Sequence, residues 1–409
     1  MVSATEFSTN FVVLREEKAS FCDLLCFLLF GYTGGEEEEA FIEFATDKME
    51  QNLMRRQVLK PDRESATFRT IVGYMDKRVK LDKKFKPGDD KYCKALSAMA
   101  AKIAYENKAF IKTTVTKHWE MELIDFYKFW NVFEKKYTTT AYIVMDKKVD
   151  PEMIVVAFRG TEFFNADLRA ADVDISWYEY PGMGKVHGSF LKALGLQENG
   201  WPREVDHDDH HPLAYYTIRN QLKDLVCQNN KTKFIITGHC TGGALAILFP
   251  AVLALHGEVL LLERLEGVYT FGQPRIGDDV FGQFMEQKLQ LHEINYQRIV
   301  YSNDLVPREN DPAFTLKHFG TCLYYNCFYK GKILEEDDQP KEISKFAILF
   351  KFAIAVRELM RGFVIPYIKG PEYRESLVLK AFRLIGLILP GYASHNVHDY
   401  VNVTRLGSI

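Results

Sequence analysis

The segment Gly238-His239-Cys240-Thr241-Gly242 restricts the choice of fold more than any other stretch of the chain. An apolar run, Phe234-Ile235-Ile236-Thr237, precedes it, and residues 243–255 follow with helical character. Strand, sharp turn and helix around a G-x-nucleophile-x-G frame are the setting of a nucleophile elbow. Such a turn strains its central residue, and side chains two positions to either side would collide across it. Glycine at 238 and 242 removes that collision. The frame points to acyl chemistry. It normally presents a serine hydroxyl, and here it presents the thiol of Cys240.

The surrounding pattern supports a strand reading for the middle of the chain. Residues 141–145 and 154–158 are short β-rich runs separated by a turn near 148–151. Further strands are expected at 234–237, 267–271 and 297–301, with helices at 243–255 and 279–289 between them. Strands alternating with helices specify an α/β domain with a largely parallel sheet. Its core is expected over about 135–310, within a domain spanning 136–409. Residues 1–135 are expected to form a mostly helical N-terminal extension, with helices over 92–105 and the aromatic-rich 119–133. Within the C-terminal part, an apolar helical insert is expected over about 335–390. Its two stretches, 345–369 and 377–389, carry interspersed Lys351, Arg357, Arg361, Lys380 and Arg383. Amphipathic helices of this kind either lie in a lipid interface or pack in a core with snorkelling cations. Neither stretch holds about twenty uninterrupted apolar residues, so a spanning helix is not expected.

Charge and cysteine usage narrow the function classes. The net charge is −3 and no long basic block occurs, which leaves nucleic acid without an electrostatic footprint. The seven cysteines (Cys22, Cys26, Cys93, Cys227, Cys240, Cys322 and Cys327) form no CxxC pair and are odd in number. That usage reads as reduced thiols in an intracellular setting. The N-terminus lacks the charged and apolar regions of a secretory signal, and 21–30 is too short to cross a bilayer. A cytosolic face, at a lipid droplet or membrane or else in the cytoplasm, is the expected location. The Glu36–Glu39 run reads as a solvated helix start. The stretch 206–211, Asp-His-Asp-Asp-His-His, contains metal-ligand residue types but no flanking order to hold them, and reads as a solvated surface insert.

A nucleophile needs a base, the base needs an orienting acid, and the developing oxyanion needs donors. Asp304, in Tyr301-Ser302-Asn303-Asp304, follows an expected strand, at the end where α/β folds place reactive groups. His395 and His398 lie near the C-terminus, and nucleophile, acid, histidine is a known chain order for this chemistry. The backbone N–H of Thr241 is one oxyanion donor. The turn Phe158-Arg159-Gly160-Thr161 supplies the other through the N–H and hydroxyl of Thr161. No metal or organic cofactor is needed.

Five ordered stretches together resemble the class 3 lipase family: 154–162 (IVVAFRGTE), 184–196 (GKVHGSFLKALGL), 234–246 (FIITGHCTGGALA), 269–277 (YTFGQPRIG) and 301–308 (YSNDLVPR). The plant oil-body branch is most similar, sharing Ser176-Trp177-Tyr178-Glu179 and Asp399-Tyr400-Val401-Asn402. The resemblance implies an α/β-hydrolase fold and a nucleophile–acid–histidine triad acting on acylglycerols at a lipid-droplet or membrane surface. It assigns the nucleophile position to Cys240, the acid to Asp304 and the histidine to His395, with His398 as runner-up. It also implies a mobile lid over 163–176. The chain departs from the family at three places: Cys240 stands where serine is usual, Thr241 where leucine is usual, and Ala166-Asp167-Leu168-Arg169-Ala170 replaces an acidic stretch.

A thiol at the elbow admits three outcomes. The favoured one is ester hydrolysis through a thioester on Cys240. The alternatives are passage of that thioester to an alcohol or amine, which is acyl transfer, and a non-hydrolytic role for the fold. Sulfur makes longer bonds than oxygen, and a displacement near 1 Å costs on the order of 100-fold in rate.

Overall fold

Met153–Phe158 and Lys233–His239 are nearly continuous runs of β-branched and apolar residues, the composition of strands covered on both faces. The computed structural model describes 62–161, 176–308, 316–334 and 345–408, except 88, 90, 207, 209 and 390, plus three short strands nearer the N-terminus. Those three are β1 (Phe11–Leu14), β2 (Ile42–Ala45) and β3 (Val58–Pro61), which pair antiparallel in the order β2-β1-β3. The remaining strands are β4 (Glu122–Asn131), β5 (Lys136–Asp146), β6 (Met153–Phe158), β7 (Trp177–Tyr180), β8 (Gly184–His187), β9 (Lys233–His239), β10 (Leu265–Phe271), β11 (Asn295–Tyr301), β12 (Thr321–Tyr325) and β13 (Gly331–Leu334). The α-helices are α1 (Ile71–Met75), α2 (Tyr92–Ile103), α3 (Lys108–Thr113), α4 (Gly188–Leu194), α5 (Ala214–Gln228), α6 (Thr241–Leu255), α7 (Val259–Arg264), α8 (Asp279–Leu291), α9 (Lys345–Lys369), α10 (Leu377–Ile388) and α11 (Val397–Leu406).

The central sheet has eight strands in the order β13-β12-β11-β10-β9-β6-β5-β4. Its middle is parallel from β6 through β9, β10 and β11 to β12, and antiparallel pairs close both edges. This is the expected α/β-hydrolase arrangement. The two-residue period of the strands sorts their side chains into two cores. Ile154, Val156, Phe234, Ile236 and Val268 pack with α4, α5 and α6 on one face. Val155, Ala157, Ile235, Phe271 and Ile299 pack on the other face with Leu96, Met99 and Ile103 of α2 and with Tyr400 and Val401 of α11.

The N-terminal part departs from expectation. The aromatic run 119–133, expected as a helix, contains β4, which pairs along its length with β5. Phe126, Tyr127, Phe129 and Trp130 are strand formers, and the short turn after Asn131 folds them back onto β5. Tyr127 and Phe129, two residues apart, stack on one face with ring centroids 5.3 Å apart. The expected boundary at residue 135 therefore falls inside a hairpin of the central sheet, and the described part of 1–135 combines α1, α2 and α3 with strands β1 to β4. The 21–30 segment, the Glu36–Glu39 run, all of the expected lid over 163–176 except Ser176, and the altered stretch 166–170 lie outside the described residues.

Both expected C-terminal helices form. Where α10 meets α11, buried charges hold them: Arg383 donates to Glu375 at 2.7 Å and to Asp399 at 3.0 Å, and Arg361 of α9 pairs with Asp399 at 2.5 Å. The outward faces carry large apolar side chains, including Phe352, Met360, Phe363, Tyr367 (87% exposed), Ile368, Leu384 and Ile388 (81%). Among the described residues no helix is long and apolar enough to cross a membrane.

Candidate active site

The elbow is built by close backbone approach. A Cβ on Gly238 would lie 2.1 Å from the carbonyl oxygen of Gly242, and one on Gly242 would lie 2.4 Å from that of Phe158. Only glycine lets β9 reverse into α6 at this separation. Cys240 then takes φ 57° and ψ −132°, a backbone state that costs an L-residue on the order of 1–3 kcal/mol. Its N–H donates to the carbonyl of Phe271 at 2.9 Å, which ties the turn to the neighbouring strand β10. The thiol is half-buried at the N-terminal end of α6, where unpaired N–H groups give a positive potential.

Asp304 is fully buried just beyond β11. Its Oδ1 accepts from the N–H of Val306 at 3.0 Å, and its Oδ2 accepts from His395 Nδ1 at 2.7 Å and from the Tyr400 hydroxyl. His395 sits in the loop that leads into α11, and Asn396 fixes that loop. Asn396 caps the helix by accepting from the Asp399 N–H at 2.9 Å and donates to the Ala393 carbonyl at 2.6 Å. Burial pushes the His395 imidazole down, but the Asp304 carboxylate and then the Cys240 sulfur outweigh burial, and its pKa is pushed up to about 10. At neutral pH the ring is an imidazolium between a carboxylate and a sulfur.

His398 lies elsewhere. Its Nδ1 is 3.4 Å from Asp76 Oδ2 and 3.3 Å from an Arg78 nitrogen, in a cluster that joins the segment after α1 to α11. Burial raises the Asp76 carboxyl, but Arg78, Lys102 and His398 overcome it and hold it well below the usual carboxylate range. Of the two candidate histidines, the structure brings only His395 together with Asp304 and Cys240.

The proposed oxyanion donors are also adjacent. The Thr161 N–H donates to the Thr241 hydroxyl oxygen at 2.8 Å, and the two threonine hydroxyls are 2.9 Å apart. In the 206–211 stretch, Asp208 and His211 pair at 2.8 Å on the surface, and the His211 ring packs on Trp130. Among the described residues no group of side chains is arranged to hold a metal ion.

Four supporting residues were not legible as such. Gly272 has φ +57°, and a Cβ there would lie 2.8 Å from both Asp304 Oδ2 and His395 Cε1. Tyr400 holds the acid from behind. His239 lies beside His395 with ring centroids 4.5 Å apart, and its Nδ1 bonds the Tyr105 hydroxyl at 2.8 Å. Burial, and then the His395 charge, hold the His239 pKa well below its ordinary value, so that ring stays neutral. Gly272 and His239 lay inside motifs whose pattern was visible, while Tyr105 had no local signal.

Comparison with known proteins gives the following. The family described as Lipase (class 3) matches residues 155–311. The triacylglycerol lipase OBL1 of Arabidopsis thaliana is 38% identical over 395 residues, covering 87% of this chain and 76% of that one. The triacylglycerol lipase OBL1 of Ricinus communis is 34% identical over 85% of this chain and 76% of its own length. Among solved structures, lipase II from Rhizopus niveus aligns at 21% identity with a TM-score of 0.43, over 64% of this chain and 88% of that one.

Proposed function

The chain belongs to the class 3 lipase family, and we propose that it is a lipase-type ester hydrolase that cleaves acylglycerols or related acyl esters through a thioester on Cys240. In the first half-reaction the thiolate Sγ attacks the ester carbonyl carbon. The carbonyl π pair moves to oxygen, and the donors of Thr161 and Thr241 receive the oxyanion. His395 gives its proton to the departing alkoxide as the C–O bond breaks, which releases the alcohol and leaves an acyl-cysteine. In the second half-reaction neutral His395 takes a proton from water, the hydroxide adds to the thioester carbon, and the C–S bond breaks. Fatty acid leaves, and thiolate and imidazolium are restored. Asp304 orients the ring throughout and stabilises its charged form, and Tyr400 and Val306 keep that carboxylate aimed at it.

One observation carries this reading. The residue in the strained elbow conformation, Cys240, neighbours the same imidazole that Asp304 holds at Nδ1 at 2.7 Å. The test offers an activated fatty-acyl ester with and without an alcohol acceptor. Acylation of Cys240 followed by fatty-acid release in water alone is the expected result. Product formed only with acceptor present would make the protein an acyltransferase, and absence of any Cys240 label would refute both.

We further propose that α9 and α10 seat the protein on a lipid-droplet or membrane surface. The support is the exposed row of Met360, Phe363, Tyr367, Ile368, Leu384 and Ile388, fringed by Lys369 and Lys380. Large apolar side chains moved from water into lipid contribute about 1.5–3 kcal/mol each. The triple variant Phe363→Asp, Tyr367→Asp, Ile388→Asp should therefore lose at least about 10-fold in flotation with phospholipid-coated triacylglycerol droplets. Undiminished flotation by a folded variant would rule these helices out as the docking face.

A further inference from the structure

The side chain of Thr241 does something that the backbone of Thr241 does not. Its Oγ1 occupies the acceptor position of the Thr161 N–H at 2.8 Å and lies 2.9 Å from the Thr161 hydroxyl. An oxygen that accepts from the Thr161 N–H competes for that donor with a substrate oxyanion. The donors can be counted. The site offers the Thr161 N–H, the Thr161 hydroxyl, the Thr241 hydroxyl and the Thr241 N–H, the last of which, at the first position of α6, has no acceptor within its own helix. The contact between the two threonines consumes the Thr161 N–H and one hydroxyl proton, whichever hydroxyl donates. One hydroxyl proton and the Thr241 N–H are left for an oxyanion. With an apolar side chain at 241, the Thr161 N–H, the Thr161 hydroxyl and the Thr241 N–H would all be left.

We propose, resting on the acyl-cysteine reading above, that the Thr241 hydroxyl withholds the Thr161 N–H from the oxyanion and so limits the rate of acylation. Thr241 is a rate-setting residue of the site through its side chain, in addition to the part its backbone plays. A substrate carbonyl recovers the withheld donor only when the Thr241 hydroxyl rotates off it, and that rotation breaks a hydrogen bond in a half-buried setting.

The test is Thr241→Val, which keeps the branched shape and the backbone N–H and removes the hydroxyl. Thr241→Ala serves as a second hydroxyl-free variant, and thermal unfolding monitors the fold of both. A single oxyanion donor is worth about 100- to 1,000-fold in rate where it is fully engaged. Acylation of Cys240 by an activated fatty-acyl ester should rise by about 10-fold or more in both variants. Binding of a long-chain aldehyde should tighten in parallel. Its carbonyl carbon adds Cys240 Sγ reversibly, and the resulting oxyanion lies in the same hole. Binding of the corresponding alcohol, which forms no oxyanion, should not move. A purely structural role for Thr241 would leave the aldehyde and alcohol affinities unseparated. An unchanged or slower acylation, in variants whose wild-type parent is acylated, overturns this proposal and leaves the acyl-cysteine reading standing. Failure to label either the parent or the unblocked variants overturns both.

Discussion

His395→Ala should lower acylation of Cys240 by about 1,000-fold or more, the scale on which nucleophilic triads respond to loss of the base. On the proposed acyl-cysteine reading this one ring has two tasks: it assists the sulfur in its attack and protonates the alkoxide during collapse of the tetrahedral state. Alanine removes both. His398→Ala is the matched comparison, because that histidine faces Asp76 and Arg78 and not the thiol. It should change thermal stability while leaving most acylation intact. Rapid-quench labelling with an activated ester reads both variants, and equal losses would mean that the assignment of the two histidines is mistaken. The pH profile provides a second check. The pKa of His395 is raised to about 10, so its imidazolium form is present at neutral pH and disappears as pH rises through about 10. Acylation by esters with poor leaving groups should fall above that pH, because the proton needed by the alkoxide is gone. Esters with good leaving groups should be less sensitive over the same range.

Asp399→Ala should destabilise the protein by about 3–5 kcal/mol, the usual result when one member of a buried charge cluster is removed and the others stay. Asp399 accepts from Arg361 at 2.5 Å, Arg383 at 3.0 Å, Asn396 at 2.8 Å and the Tyr329 hydroxyl at 2.9 Å. Burial opposes its charge, and Arg383 and Arg361 more than compensate, holding the carboxyl well below its ordinary range. Alanine would leave the Arg361 guanidinium buried without its carboxylate. It would also take from Asn396, the cap that fixes the His395 loop, its bond to the Asp399 carboxylate, while the backbone cap bond and the bond to Ala393 stay. Denaturant unfolding should show the loss, and Asp399→Asn, which keeps acceptor geometry without charge, should fall between the two. A loss below about 1 kcal/mol would mean that the apolar contacts of α9 and α10 hold those helices unaided.

The parallel strands were legible because burial on both faces writes them as unbroken apolar runs, and the elbow because its glycines have no substitute. The β4 strand was not legible. Its aromatic residues satisfy a helical period as well as a strand period, and its partner β5 decides between them. The choice between His395 and His398 was undetermined by spacing alone, since both lie near the start of α11. What separates them is Asp76, more than 300 residues earlier in the chain, which occupies His398. The Thr241 hydroxyl was visible as a departure, but its partner Thr161 lies 80 residues away, and only the folded turn brings the two oxygens together.

The contact between Tyr105 and His239 bears on how this protein can be cut down or rearranged by evolution. Tyr105 follows α2, well before the stretch that carries the family signature, and its hydroxyl supports the ring packed against His395. The same α2 covers one face of β6, β9 and β10. A gene fragment that retained only the recognisable motifs would encode a sheet with part of one side uncovered and a candidate site lacking the Tyr105 hydroxyl behind His239. Recombination that exchanges the front of this chain for another therefore has to bring an equivalent helix and an equivalent hydroxyl.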